Sequence, residues 1–174
     1  MRKFIYQGFT LFELIISLII IGIISTLSLS SYSGIVANQA LASRANQVYY
    51  TLQWAKSEAI KRNKKIYVKF CEQEAQWKMG VSETPHCDCF TPDSCQLAGD
   101  EKVQPLADNH QLFIDKSLLT FTGDQASYGP MRFSVETGTI VLSNSENNAL
   151  SIIQSASRLR ICSPNATSLG QPIC

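Results

Sequence analysis

The sequence predicts an α+β protein. A long N-terminal helix, apolar in its first half and amphipathic in its second, packs on an antiparallel β-sheet head with a disulfided C-terminal region. Three observations carry this expectation. A short polar head containing Arg2 and Lys3 is followed by an uninterrupted apolar run. Small and apolar residues then recur at helical spacing as far as Ala59. Beyond Asn63 the pattern alternates with period two, and all the cysteines lie in this later part of the chain.

Residues 9–29 form a helix of roughly 31 Å at about 1.5 Å per residue, enough for the ~30 Å hydrocarbon core of a bilayer. Arg2 and Lys3 precede this run, so the positive-inside rule leaves that end in the cytoplasm and exports the body. The apolar stretch exceeds the about 7–15 residues of a cleaved secretory signal. Glu13 is the anomaly, because a carboxylate within a membrane helix costs about 2.5–3.5 kcal/mol on insertion scales and needs a partner. The helix continues beyond the membrane. Leu41, Ala45, Val48, Leu52, Ala55 and Ala59 lie on one face. The expected segments are therefore a transmembrane half at 9–30, an amphipathic half at 31–62 and an exported head at 63–174. Gly22 and Gly34 mark the expected sites of kinking. Lys61, Arg62, Lys64 and Lys65 stand where the helix dipole favours cations.

Residues 64–71 alternate and are rich in β-formers, and 76–81 suit a hairpin partner. Residues 82–99 read as a disulfide-pinned loop. One or two strands fall within 111–121. Segments 131–135, 139–143 and 150–155 read as successive antiparallel strands joined by turn-rich connectors, and 158–162 extends the last of them.

The formal net charge is +1; without Arg2 and Lys3 the 15 basic residues become 13 against 14 acidic ones. Binding to a polyanion would thus need a local patch. Six cysteines in an exported head imply disulfides in an oxidising compartment: Cys71, Cys87, Cys89, Cys95, Cys162 and Cys174. The cluster of His86, Cys87, Asp88, Cys89 and Cys95 has metal-binding residue types, but Cys-x-Cys is not the usual zinc spacing. His86 and His110 sit in no nucleophile pattern, and no phosphate loop or dinucleotide fingerprint occurs. The sequence points to no enzyme, no cofactor and no metal.

The string Gly8-Phe9-Thr10-Leu11-Phe12-Glu13 ahead of the apolar run resembles a type IV prepilin leader. That resemblance implies a leader at 1–8, removed between Gly8 and Phe9 by prepilin peptidase, which then methylates the new amine. Glu13 becomes the fifth mature residue and pairs with the Phe9 ammonium of a neighbour during filament assembly. The string from Ser57 to Asn63, the motif Phe133-Ser134-Val135-Glu136-Thr137-Gly138 and a late Arg-x-Arg are similar to the GspH/FimT group. It contains minor pilins of type IV pili and a minor pseudopilin of type II secretion. The implied fold is the pilin fold. The implied function is a minor pilin or, alternatively, a GspH-like minor pseudopilin. Such a subunit is held in the inner membrane before assembly and contacts other pilin subunits through the N-terminal helix. The resemblance also implies a Cys162–Cys174 loop; the pairing of Cys71, Cys87, Cys89 and Cys95 stays open. Arg158-Leu159-Arg160 is similar to the Gly-Arg-x-Arg of pilins that capture DNA for transformation, with Ser157 in place of the glycine. On a strand the two guanidiniums share a face about 7 Å apart. Lys64 and Lys65 are further phosphate-contact candidates. Two solvated arginines are the competing reading.

Overall fold

The computed structural model describes residues 9–107, 112–131, 134–165 and 169–174, with the side chains of 26–31 outside the description. Gly8 and the rest of the 1–8 leader, His110, and part of the expected 131–135 strand lie outside the described residues. Two compact units are present, Met1–Val36 and Ala37–Cys174. Helix α1 (Leu11–Arg62) contributes to both and is helical at Gly22 and Gly34 alike.

In the first unit, α1 begins behind Thr10, whose hydroxyl accepts from the Glu13 backbone N–H at 3.3 Å. Thr10-Leu11-Phe12-Glu13 has the Ser/Thr-x-x-Glu spacing of a capping box. Ser17 and Ser25 donate to the carbonyls of Glu13 and Ile21, each at 2.7 Å, which satisfies their hydroxyls inside the apolar run. Phe9, Leu11, Phe12 and the leucines and isoleucines that follow are exposed. Among the described residues no helix is long and apolar enough to cross a membrane. The transmembrane segment expected at 9–30 includes positions whose side chains lie outside the description.

The second unit is built on the predicted helix face. Leu41, Ala45, Val48, Leu52, Ala55 and Ala59 are all fully buried. The helix ends at Asn63, which takes φ 52°. Its N–H donates to the Ile60 carbonyl and that of Lys64 to the Ala59 carbonyl, at 3.3 and 3.2 Å. This is the paired bonding of a Schellman cap, with asparagine in the left-handed position.

Strands β1 (Ile66–Gln73) and β2 (Gln76–Ser82) form the expected hairpin. Its two turn residues, Glu74 and Ala75, both have positive φ, the requirement of a tight turn that matches strand twist. The expected antiparallel head is divided between two sheets. It holds two four-stranded antiparallel sheets and a short ladder between β3 (Gln96–Leu97) and β4 (Asp100–Glu101). The first sheet is ordered β5-β2-β1-β7, adding β5 (Val103–Ala107) and β7 (Gln125–Tyr128). The second is ordered β10-β9-β8-β6, from β6 (Leu112–Ile114), β8 (Gly138–Asn144), β9 (Ala149–Gln154) and β10 (Leu159–Cys162). Residues 158–162 therefore do not extend the preceding strand. The chain reverses at Ser155–Arg158, and β10 pairs back on β9. Around 131–135 the described backbone is used in a turn, Ser134 N–H to the Met131 carbonyl and Gly129 N–H to the Ser134 carbonyl, and in one bridge between Val135 and Tyr128.

One core joins both sheets to α1. Each fully buried leucine, isoleucine or valine adds about 1.5–3 kcal/mol relative to exposure. Phe70 of β1 stacks on Phe121 at 5.8 Å, and the Phe121 ring lies against Gly138, where a Cβ would collide with it. Tyr128 of the first sheet donates its buried hydroxyl to Gln154 Oε1 of the second at 3.1 Å. Burial holds the Tyr128 phenol protonated well above its ordinary range.

Candidate functional site

At the N-terminal end, Phe9 is exposed and Glu13 stands exposed in the first turn of α1. A free amine at Phe9 would belong to the same polar end of an otherwise apolar surface. The helix start is capped by the Thr10 hydroxyl, which accepts from the Glu13 backbone N–H; the Thr-x-x-Glu spacing marks that start in the sequence.

The cysteines form three bridges: Cys71–Cys89, Cys87–Cys95 and Cys162–Cys174. The first two share a small buried cluster with Phe90 and Val103 against the β1–β2 hairpin. Gly80 of β2 makes room for them, since a Cβ there would overlap the Cys95 side chain and lie 3.2 Å from Cys89 Sγ. Among the described residues no group of three or more His, Cys, Asp or Glu side chains could hold a metal ion. The third bridge closes the chain end, where Ser163 N–H and Cys174 N–H donate to the carbonyls of Pro172 and Ser163.

The basic candidates separate into different environments. Lys64 pairs with Glu83 at 2.7 Å, and Arg62 pairs with Glu58 at 2.6 Å and with Glu83 at 3.7 Å. Lys61 adds a contact to Glu58. The Arg62 hydrogen bond holds Glu58 below the usual carboxylate range, and Lys64 does the same for Glu83. Lys65 is exposed beside this network. Arg160 donates to the Cys174 carbonyl at 3.3 Å. Arg158 is not a strand residue: it closes the turn before β10, where Ser155 N–H donates to its carbonyl and its own N–H donates to Ser155 Oγ. Ser157, at the glycine position of the resembled motif, does not adopt positive φ. Arg158 lines a recess of about 360 Å³ with Lys56, Gln53 and Ser57 of α1. Lys56 was absent from the sequence candidates. The signal lay in Gln53, Lys56 and Ser57, a polar helix face at i, i+3 and i+4 that carries no acid.

A methylation-type N-terminus, a helix shared by two units and a disulfided two-sheet head define a type IV pilin-like protein. Residues 5–29 match the prokaryotic N-terminal methylation motif. Residues 44–165 match the family described as Type II transport protein GspH. The chain belongs to that family. No curated protein and no solved structure matches it.

Proposed function

We propose that the chain is a minor pilin of a type IV pilus. Its N-terminal helix anchors it in the inner membrane with the head in the periplasm. Prepilin peptidase cuts between Gly8 and Phe9 and methylates the new amine, and the subunit then enters the filament or its tip by packing against other pilins. The role is structural, with no catalysis, cofactor or metal. The observation that carries this reading is Glu13, a lone exposed carboxylate on an exposed apolar helix surface. Water-exposed apolar area of that extent calls for lipid or partner helices. Within such packing the carboxylate requires a cation, and a processed Phe9 amine supplies one. Glu13→Val is expected to be processed normally and to be missing from sheared filaments, as read by immunoblot. Incorporation at wild-type level would refute the pairing.

A GspH-like minor pseudopilin is the second reading, favoured by the description of the matched family. Deletion separates the two: loss of piliation supports the pilus, and loss of protein secretion with intact pili supports the pseudopilus. DNA capture is a finer reading of the same head, resting on Arg158 and Arg160 with Lys64 and Lys65. It predicts duplex binding that weakens steeply with salt. The double change Arg158→Gln and Arg160→Gln should remove that binding, and equal binding by this variant would end the reading.

A further inference from the structure

Most described cations are already engaged, by carboxylates, by backbone carbonyls or, for Lys78, by the Phe90 ring. Among the described residues the side chains of Lys56, Lys65 and Arg158 make no ion pair and no hydrogen bond. Two of these three line one recess. Its walls are the polar face of α1 and the turn between β9 and β10, with Leu52 and Leu159 supplying apolar surface and no carboxylate contributing. Its neutral polar groups are largely committed. Gln53 donates to the Tyr49 hydroxyl, Ser57 to the Gln53 carbonyl, and Gln154 bonds Tyr128 and Ser155. The uncompensated positive charge of Lys56 and Arg158 therefore sets what the recess can accept.

We propose that this recess is a binding site for a carboxylate side chain presented on an extended peptide segment of a partner subunit. A guanidinium offers a planar fork that matches a carboxylate in bidentate fashion, and the Lys56 ammonium supplies a second charge-assisted donor. Leu52 and Leu159 provide contact area for apolar residues flanking the acid. At about 360 Å³ the volume lies at the small end of ligand pockets, roughly 300–1,000 Å³, which suits one side chain and its neighbours. A nucleic-acid backbone asks for a row of free cations, whereas Arg160, the next cation along the chain, is bonded to the Cys174 carbonyl. The inference concerns the head alone and holds for a pilus or a pseudopilus.

Lysine acetylation of the full chain in detergent, quantified by mass spectrometry, tests it, with Lys65 as the internal reference. The probe is the acetylated, amidated tripeptide Leu-Glu-Leu. It is expected to slow acetylation of Lys56 by the factor 1 + [L]/Kd, about tenfold near ten times Kd, while Lys65 reacts at its original rate. Leu-Gln-Leu should give no protection, and Arg158→Gln should abolish protection with an unchanged melting temperature. Absence of protection, equal protection of Lys65, or equal protection by Leu-Gln-Leu would overturn the proposal. So would protection by inorganic phosphate or by a short duplex in place of the tripeptide, either of which would reassign the recess to phosphate chemistry.

Discussion

Removing the Tyr128 hydroxyl is the sharpest test of how the two sheets are held together. Tyr128 is fully buried and Gln154 is 2% exposed, and their 3.1 Å hydrogen bond runs from β7 to β9. In Tyr128→Phe the ring still fills its place, so no cavity opens. The loss is confined to the bond and to a buried Gln154 Oε1 left without its donor. An unsatisfied buried acceptor costs about 1–3 kcal/mol. For a unit of this size about 4 °C of melting temperature accompanies each kcal/mol, so the expected drop is about 4–12 °C. The assay is thermal unfolding of residues 37–174 by circular dichroism, since the main core is composed of that unit's own side chains. The double change with Gln154→Leu removes both partners and should cost clearly less than the two single changes summed. A Tyr128→Phe shift below about 1 °C, or strict additivity in the double variant, would show that the bond does not join the sheets energetically.

Three further outcomes follow from particular residues. Replacing Glu74-Ala75 with Asn-Gly puts the preferred residues into a turn that already has positive φ at both positions, and should raise stability by about 0.5–1 kcal/mol in denaturant titration. Glu58 and Glu83 have depressed folded-state values, so their contribution is complete above the ordinary glutamate value of about 4.3. It fades as pH falls through the lower folded-state values. Glu58→Gln with Glu83→Gln should flatten that acid limb of the stability profile, and an unchanged slope would show that the pairs are energetically idle. Intact-mass measurement of the head without reductant should show every cysteine oxidised; Gly80→Ala should instead leave free thiols, because its Cβ occupies the space of Cys95.

Where side-chain pattern alone decides the outcome, the fold was legible. The buried row from Leu41 to Ala59 has a single helical period, and β1, β8 and β9 are runs of β-formers that face a core. Strands β5 and β7 were hidden for physical reasons. β5 carries Pro105, which argues against a strand unless it lies at an edge, and β5 is the outer strand of its sheet. β7 reads Gln-Ala-Ser-Tyr and is recruited by pairing with β1 rather than by propensity. The division into two sheets depends on strand order, which no local period records. At the candidate site, the Arg-x-Arg pattern was visible but its separation was not. The turn at Ser155–Arg158 takes Arg158 out of the strand, while Arg160 is held by the chain end. The ion pair that occupies Lys64 comes from Glu83, far along the chain, and no spacing rule reveals it.

The Cys71–Cys89 and Cys87–Cys95 loops overlap in sequence, since Cys87 lies inside the first loop and Cys89 inside the second. Overlapping loops carry a kinetic hazard. Cys87 and Cys89 are two residues apart, so Cys71 can reach either with nearly the same loop-closure entropy. Chain statistics cannot distinguish the correct thiol from its neighbour; the β1–β2 hairpin must do so, with Gly80 leaving the gap that the native pairs fill. We therefore expect oxidation to follow hairpin formation, and the unfolded chain to yield Cys71–Cys87 and Cys89–Cys95 as its main by-product. Thiol trapping during oxidative refolding would show this order. A cell exporting this subunit would then depend on disulfide reshuffling as well as disulfide formation.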